Sequence, residues 1–224
     1  MPMSRFCLIV ENTGQYRLVI NLTRIYNYII HKPYLKVYMS FKDKEKWNTK
    51  YDGDSYITGK EPCEWLKSHT EFLIKGGKAL DIAAGEGRNS VFAASLGYEV
   101  VSMDISEIAL KKAQRLANEK NVTITTLSTD LDNSSLPENE YDLVLCFNFL
   151  ERKLFQEIRK TLKSGGILFY ETFSVDYLKY SSFKKEWVLE QNELLEAFND
   201  FRILRYQEVD EEPKAFASLI AQKL

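Results

Sequence analysis

Two groups of residues in this chain have the types and spacing to hold a nucleoside. Lys78-Ala79-Leu80-Asp81-Ile82-Ala83-Ala84-Gly85-Glu86-Gly87-Arg88-Asn89 reads as an apolar strand, a small-residue turn and the start of a helix. A second apolar run, Tyr98-Glu99-Val100-Val101-Ser102-Met103, ends in Asp104, 23 residues past Asp81. Ala83, Gly85 and Gly87 carry little or no side chain, so a ligand can rest against the main chain. A carboxylate at the end of the next strand can accept hydrogen bonds from two vicinal hydroxyls. Together they form a plan for adenosine. The bland readings are a tight turn that needs glycines and a strand-end acid that caps a helix.

The spacing bears on which adenosine ligand fits. A dinucleotide site wants G-x-G-x-x-G/A, but here the first glycine falls on Ala83 and the third on Ser90. Glu86 adds a carboxylate where a pyrophosphate would sit, which disfavours one. A nucleoside with a sulfonium and no phosphate suits the turn better. Asp130-Leu131 follows a third strand and offers a carboxylate to an adenine amino group and an N–H to the ring, or else simply a turn aspartate. A fourth strand ends in Cys146-Phe147-Asn148-Phe149, at the edge where open parallel sheets bind ligands. Cys146 has no histidine nearby in sequence and reads as a core thiol; Asn148 is placed to orient a ligand. Tyr170 and Glu171, at the end of a fifth strand, are the polar candidates facing a second substrate.

These residues need an alternating frame to position them. From about Pro62 strand and helix signals alternate, which predicts a doubly wound, mostly parallel sheet covered on both faces. A helix is expected from Glu64 to about Ile74, and strands near 78–83, 98–103, 122–128 and 141–147. Ser106 caps the next helix, whose buried stripe is Ala109, Ala113, Leu116 and Ala117. Another helix carries Leu154, Ile158 and Leu162, and Ser164-Gly165-Gly166 turns the chain into a strand at 167–171. A short helix near 193–198 and strands at 201–207 and 215–221 finish the pattern. The aromatic, charged stretch 174–190 has weak periodicity and reads as a functional loop or lid.

The 224 residues suffice for one domain with a substantial core. A formal net charge of -2 gives no global attraction to nucleic acid or anionic membrane, and no apolar run is long enough to span a bilayer. Cys7, Cys63 and Cys146 form no disulfide framework, and His31 and His69 lack metal-ligand neighbours, so no metal is expected. Residues 1–38 differ: Arg5, Arg17, Arg24, Lys32 and Lys36 face Glu11 alone, and 16–22 has strand character. They read as a basic N-terminal extension before a domain at 39–224. A folded accessory segment or organelle targeting stays open; otherwise the location is cytoplasmic.

Together the motifs resemble a class I S-adenosylmethionine-dependent methyltransferase, over about Trp47 to Leu224. Leu162-Lys163-Ser164-Gly165-Gly166 and the final run 215–221, which fits an antiparallel seventh strand, extend the likeness. Within that fold, Trp47-Asn48-Thr49-Lys50-Tyr51, Gly85-Glu86-Gly87-Arg88-Asn89-Ser90-Val91, Asn148-Phe149-Leu150-Glu151-Arg152 and Tyr170-Glu171-Thr172-Phe173 are similar to the tellurite-resistance and thiopurine-type small-molecule methyltransferases. The resemblance implies a Rossmann-like sheet of seven strands and S-adenosyl-L-methionine as cofactor. It puts Trp47 and Tyr51 in a lid over the methionine end and Arg88 near the cofactor carboxylate. Asp81, Ala83, Gly85, Gly87, Asn89, Asp104, Ile105, Asp130, Leu131, Cys146 and Asn148 complete the implied cofactor set. Lys50 stands where relatives often have Arg, and the 174–190 stretch is individual.

Methyl transfer to a soft anion such as a thiolate needs alignment rather than a base. An oxygen or amide acceptor would need one, and no histidine is at hand for it. No Asn/Asp-Pro-Pro-Tyr/Phe phrase follows strand four, which argues against adenine or amide methylation. The expected partner is therefore a small molecule, soft or acidic, such as a thiol or metalloid oxyanion, with no nucleic acid and a monomeric or homodimeric protein. The competing readings are a non-catalytic cofactor-binding module acting through a partner protein, a nicotinamide-dependent reductase and an RNA methyltransferase.

Overall fold

The computed structural model describes residues 41–224 apart from 74, 75 and 133. The basic segment 1–38, with its expected strand at 16–22, and the expected boundary at 38/39 lie outside the described residues. The chain divides into Met1–Asp43 and a compact unit, Lys44–Leu224. Residues 41–51 are helical (α1). There follow α2 (Glu64–Lys67), β1 (Gly77–Ile82), α3 (Arg88–Ser95), β2 (Tyr98–Asp104), α4 (Glu107–Glu119), β3 (Ile124–Ser128), β4 (Tyr141–Phe147), α5 (Leu154–Thr161), β5 (Leu162–Phe173), α6 (Glu193–Ala197), β6 (Arg202–Glu211) and β7 (Lys214–Gln222).

The seven strands form one sheet in the order β3-β2-β1-β4-β5-β7-β6. Strands β1 to β5 pair in parallel, and β7 pairs antiparallel with both β5 and β6. This is the expected doubly wound sheet with its antiparallel last strand. Alternate residues of β4 serve opposite faces: Val144 and Cys146 join Leu154, Phe155 and Ile158 of α5, while Leu143 and Leu145 pack with Trp65, Val91 and Leu116 of α2, α3 and α4. The strand order reverses between β1 and β4, and ligands bind outside the carboxyl ends of the strands at such a switch point in sheets of this kind.

Four expectations change. Leu162, expected on the helix with Leu154 and Ile158, opens β5 instead. The helix expected from Glu64 to Ile74 stops at Lys67, because His69 leaves helical geometry (φ -127°) before a short 3₁₀ turn, Thr70–Phe72. Its ring instead packs on Trp65, 4.1 Å between centroids. Ser164-Gly165-Gly166 does not precede β5 but bulges within it: the pairing jumps from Tyr141 with Leu162 to Leu143 with Ile167, and Gly165 and Gly166 bond to Lys223. The 174–190 stretch holds two 3₁₀ turns, Val175–Lys179 and Lys185–Trp187, joined by ring contacts of Phe173 with Tyr177 and of Phe183 with both Tyr177 and Trp187. A 3₁₀ turn has neither the helix nor the strand period, which explains the weak pattern.

Candidate functional site

The turn after β1 is left-handed at Ala83 (φ 54°), Gly85 (φ 54°) and Gly87 (φ 81°). At Gly85 a Cβ would stand 3.0 Å from the Tyr51 hydroxyl. At Gly87 it would stand 2.4 Å from the Ala113 methyl, so only glycine lets α3 start against α4. The Asp104 carboxylate closes the turn: Oδ2 accepts from the Gly85 N–H and Oδ1 from the Ser106 N–H, both at 2.8 Å. A carboxylate with two such bonds has further acceptor capacity. Burial raises the Asp104 carboxyl above its ordinary value, against the main-chain N–H groups that lower it.

Residues 44–51 dock beside this turn. Lys44 pairs with Glu107, and Asn48 accepts from the Ser106 hydroxyl at 2.8 Å. Trp47 stacks on Tyr51, 5.8 Å between centroids, and Tyr51 is buried. Its phenol is pushed above the ordinary range by burial and by the charges of Asp104 and Glu86, so it is neutral and can donate. Just past the end of β4, Asn148 (φ 56°) is exposed, and its N–H donates to the Glu171 carbonyl. The Glu171 carboxyl is raised by burial, opposed by the Ser218 hydroxyl at 2.7 Å and by the charge of Arg88. Asp130 is half-buried and accepts from the Asp132 N–H, with Ile105 half-buried beside Asp104 and Leu131 in the core.

Five expected residues point elsewhere. Tyr170 is 1 % exposed and donates to the Phe149 carbonyl, so its phenol cannot meet a second substrate. Cys146 is fully buried in the same core and its thiol is pushed up to about 12 by burial, leaving only its main chain for a ligand. Asp81 is buried at the strand–helix junction, taking a 2.6 Å bond from Ser90, which itself receives Ser102. Asn89 turns inward and accepts from the Cys63 N–H. Arg88 donates to the Thr58 carbonyl and the Cys63 sulfur.

Glu86 is a correction of a different kind. Its carboxylate does not face the ligand side but is buried against residues 57–58 and Lys112. The case against a pyrophosphate therefore rests on the glycine spacing and on β7. Lys112 was missed as well, although one signal existed: it lies on the buried stripe of α4, between Ala109 and Leu116, where a lysine is out of place.

A family model described as a methyltransferase domain matches residues 79–166. TehB, a probable S-adenosyl-L-methionine-dependent methyltransferase from Haemophilus influenzae, is 31% identical over 144 residues, covering 61% of this chain and 50% of TehB. YqeM from Bacillus subtilis, named as a methyltransferase, is 30% identical over 120 residues, covering 50% of this chain and 48% of YqeM. The chain thus spans about half the length of the relatives it matches. The crystal structure of TehB superposes with a TM-score of 0.61 at 23% identity, covering 81% of this chain and 67% of that one. A Pyrococcus horikoshii protein gives 0.60 at 21%, covering 78% and 93%. At such identities the structural likeness is one of fold.

Proposed function

We propose that this chain, which carries a class I S-adenosylmethionine-dependent methyltransferase domain over residues 79–166 within a larger domain at 39–224, binds S-adenosyl-L-methionine and methylates a small molecule. The acceptor we favour is a soft or acidic nucleophile, such as a thiol or a metalloid oxyanion. The observation that carries the reading is the convergence of Asp104, the Gly85 main chain and Tyr51 at the end of β2, beside the switch point.

The residues present suit the cofactor. Asp104 has further acceptor capacity for ribose hydroxyls, and the bare turn lets a nucleoside approach the main chain. Asp130 and the Leu131 N–H would meet adenine. Trp47 and Tyr51 would cover the methionine end, with Arg88 near the carboxylate once its bonds to Thr58 and Cys63 exchange. When bound, the cofactor supplies a methyl group on positive sulfur, which departs to an in-line nucleophile. This chain supplies alignment and exclusion of water. Glu171 and Asn148 are its polar groups toward the acceptor, and burial raises the Glu171 carboxyl above its ordinary value, against the Ser218 hydroxyl and the charge of Arg88.

No helix among the described residues is long and apolar enough to cross a membrane. We place the protein in the cytoplasm, as a monomer or homodimer without a nucleic-acid partner. Isothermal titration with the cofactor and its demethylated product tests the first half: absence of heat with both removes the reading. Turnover on a panel of thiols, metalloid oxyanions and small acids tests the second. Binding with no turnover on any of them would leave a non-catalytic module.

A further inference from the structure

Lys112 and Glu86 form a buried ion pair that the cofactor chemistry does not use. Their side chains are 5% and 0% exposed, and Nζ stands 2.7 Å from Oε1. Everything around the pair comes from one surface strap. The Lys112 ammonium also donates to the carbonyls of Tyr51 (3.1 Å) and Ser55 (2.6 Å), which uses its three hydrogens. Glu86 accepts from the N–H groups of Ile57 and Thr58 and from the Thr58 hydroxyl. The Tyr56 hydroxyl donates to the Lys112 carbonyl.

A buried pair is a costly way to hold a loop, since desolvation offsets much of the attraction, and apolar side chains would hold it as firmly. What the pair adds is position. The links run from Gly85 to its neighbour Glu86, from Glu86 to Lys112, and from Lys112 to the Tyr51 carbonyl, and the Tyr51 hydroxyl lies on the side of Gly85 where a Cβ would stand, 3.0 Å from that Cβ position. Strap residues 52–55 and 57–60 are exposed, so apart from the ring of Tyr56 against the core and the Arg88 bond to the Thr58 carbonyl, the strap is held chiefly by this pair.

We propose that the Lys112–Glu86 pair is a positioning device that clamps residues 51–58 to the cofactor turn and so holds Tyr51 over Gly85, setting the affinity for the nucleoside. This rests on the cofactor reading above. Lys112 and Glu86 act through Tyr51 and the strap and touch no reacting atom.

The test uses the full chain with Lys112→Met, Glu86→Gln, the double variant and Thr58→Val. The last removes one hydroxyl bond at an exposed position and leaves the core intact, so it decides the matter if the buried variants fail to fold. Two quantities are read: hydrogen exchange of the Ile57 and Thr58 amides in cofactor-free protein, and titration with S-adenosylhomocysteine. Losing charge-assisted bonds predicts about tenfold weaker binding for Lys112→Met and about threefold for Thr58→Val, with faster exchange at both amides. The double variant should bind no worse than the poorer single one, because both break the same clamp. A purely structural pair would lower thermal stability while folded protein kept wild-type affinity and exchange, and that result overturns the proposal. If the wild type itself gives no heat, the cofactor reading is what fails. If the wild type binds and Thr58→Val matches it in both readouts, only the clamp fails.

Discussion

Asp104→Asn is the sharpest single perturbation of the site, because it keeps the shape of the side chain and changes only what its atoms can accept. Two main-chain donors, Gly85 N–H and Ser106 N–H, each hold one carboxylate oxygen at 2.8 Å. An amide offers one oxygen, so one of these N–H groups faces an NH₂ and loses its partner. An orphaned buried donor costs about 1–3 kcal/mol. At roughly 2–4 °C per kcal/mol for a chain of this size, the melting midpoint should fall by about 2–12 °C. The lower end is expected, since burial already raises the Asp104 carboxyl and asparagine removes that desolvation cost. Ligand affinity should suffer more. Hydrogen bonds to a charged acceptor contribute about 1.5–3 kcal/mol and to a neutral one about 0.5–1.5, so two ribose hydroxyls lose about 2–3 kcal/mol together. That is roughly a 30- to 150-fold rise in the Kd of S-adenosylhomocysteine by isothermal titration. A 2′,3′-dideoxy analogue makes the cycle complete: the wild type should prefer the ribose form strongly, and the variant should scarcely distinguish the two. A folded Asp104→Asn protein that binds within about threefold of wild type, or a wild type blind to the hydroxyls, refutes the assignment.

Gly87→Ala should cost about 2–5 kcal/mol, from a left-handed alanine and an overpacked contact, because the new methyl would stand 2.4 Å from that of Ala113. Ala113→Gly in that background should restore part of the lost midpoint in a thermal melt, and an unchanged Gly87→Ala would refute the contact. Asp81 is raised to about 7 by burial, against about 3.9 unfolded, so the folded state keeps its proton longer. Stability should therefore decline between about pH 4 and pH 7, by up to about 4 kcal/mol, and Asp81→Asn should flatten the slope in denaturant titrations. The Glu86 carboxyl, which burial would raise but hydrogen bonds from Lys112 and Thr58 hold low, adds an opposite loss below about pH 4.5, and Asp104 and Glu171, both raised by burial, add to the decline, so the difference between wild type and Asp81→Asn isolates the Asp81 share. Tyr170→Phe should lower stability by about 0.5–1.5 kcal/mol through the lost bond to the Phe149 carbonyl, which keeps only the long contact from the Cys146 thiol, with cofactor affinity unchanged. Glu171→Gln should do the reverse for function, reducing turnover while binding of S-adenosylhomocysteine stays at the wild-type level.

The frame was legible because its signals are local. The run 141–147 is a strand in sequence and in structure, since a central parallel strand buried on both faces must be nearly continuously apolar, with Asp142 near its start the exception. Ser106 announced α4, and its hydroxyl does cap Ala109 at 3.1 Å. The pairing of the Gly85 turn with Asp104 was legible for the same reason, because strand, turn and strand-end acid occupy fixed places in a βαβ unit. What failed depends on where a side chain turns after the backbone is set. Tyr170 and Glu171 are neighbours on β5 and looked equivalent, yet the pleat sends one into the α5 core and the other toward Arg88. Glu86 looked like a carboxylate facing the ligand because its neighbours do, but a left-handed turn reverses direction within one residue, and its partner is 26 residues away on α4. Sequence spacing cannot supply such a pair; only the lysine on an apolar stripe hints that some acid must come to meet it. The same limit governs the acceptor. The proposed cofactor side uses main chain and two carboxylates at set positions of the fold, whereas the proposed acceptor side uses Asn148, Glu171 and the stretch 174–190, whose 3₁₀ turns and ring contacts follow no period. An enzyme of this fold can change its second substrate by altering that stretch alone, so the chemistry is legible where the backbone is regular and illegible where specificity is set.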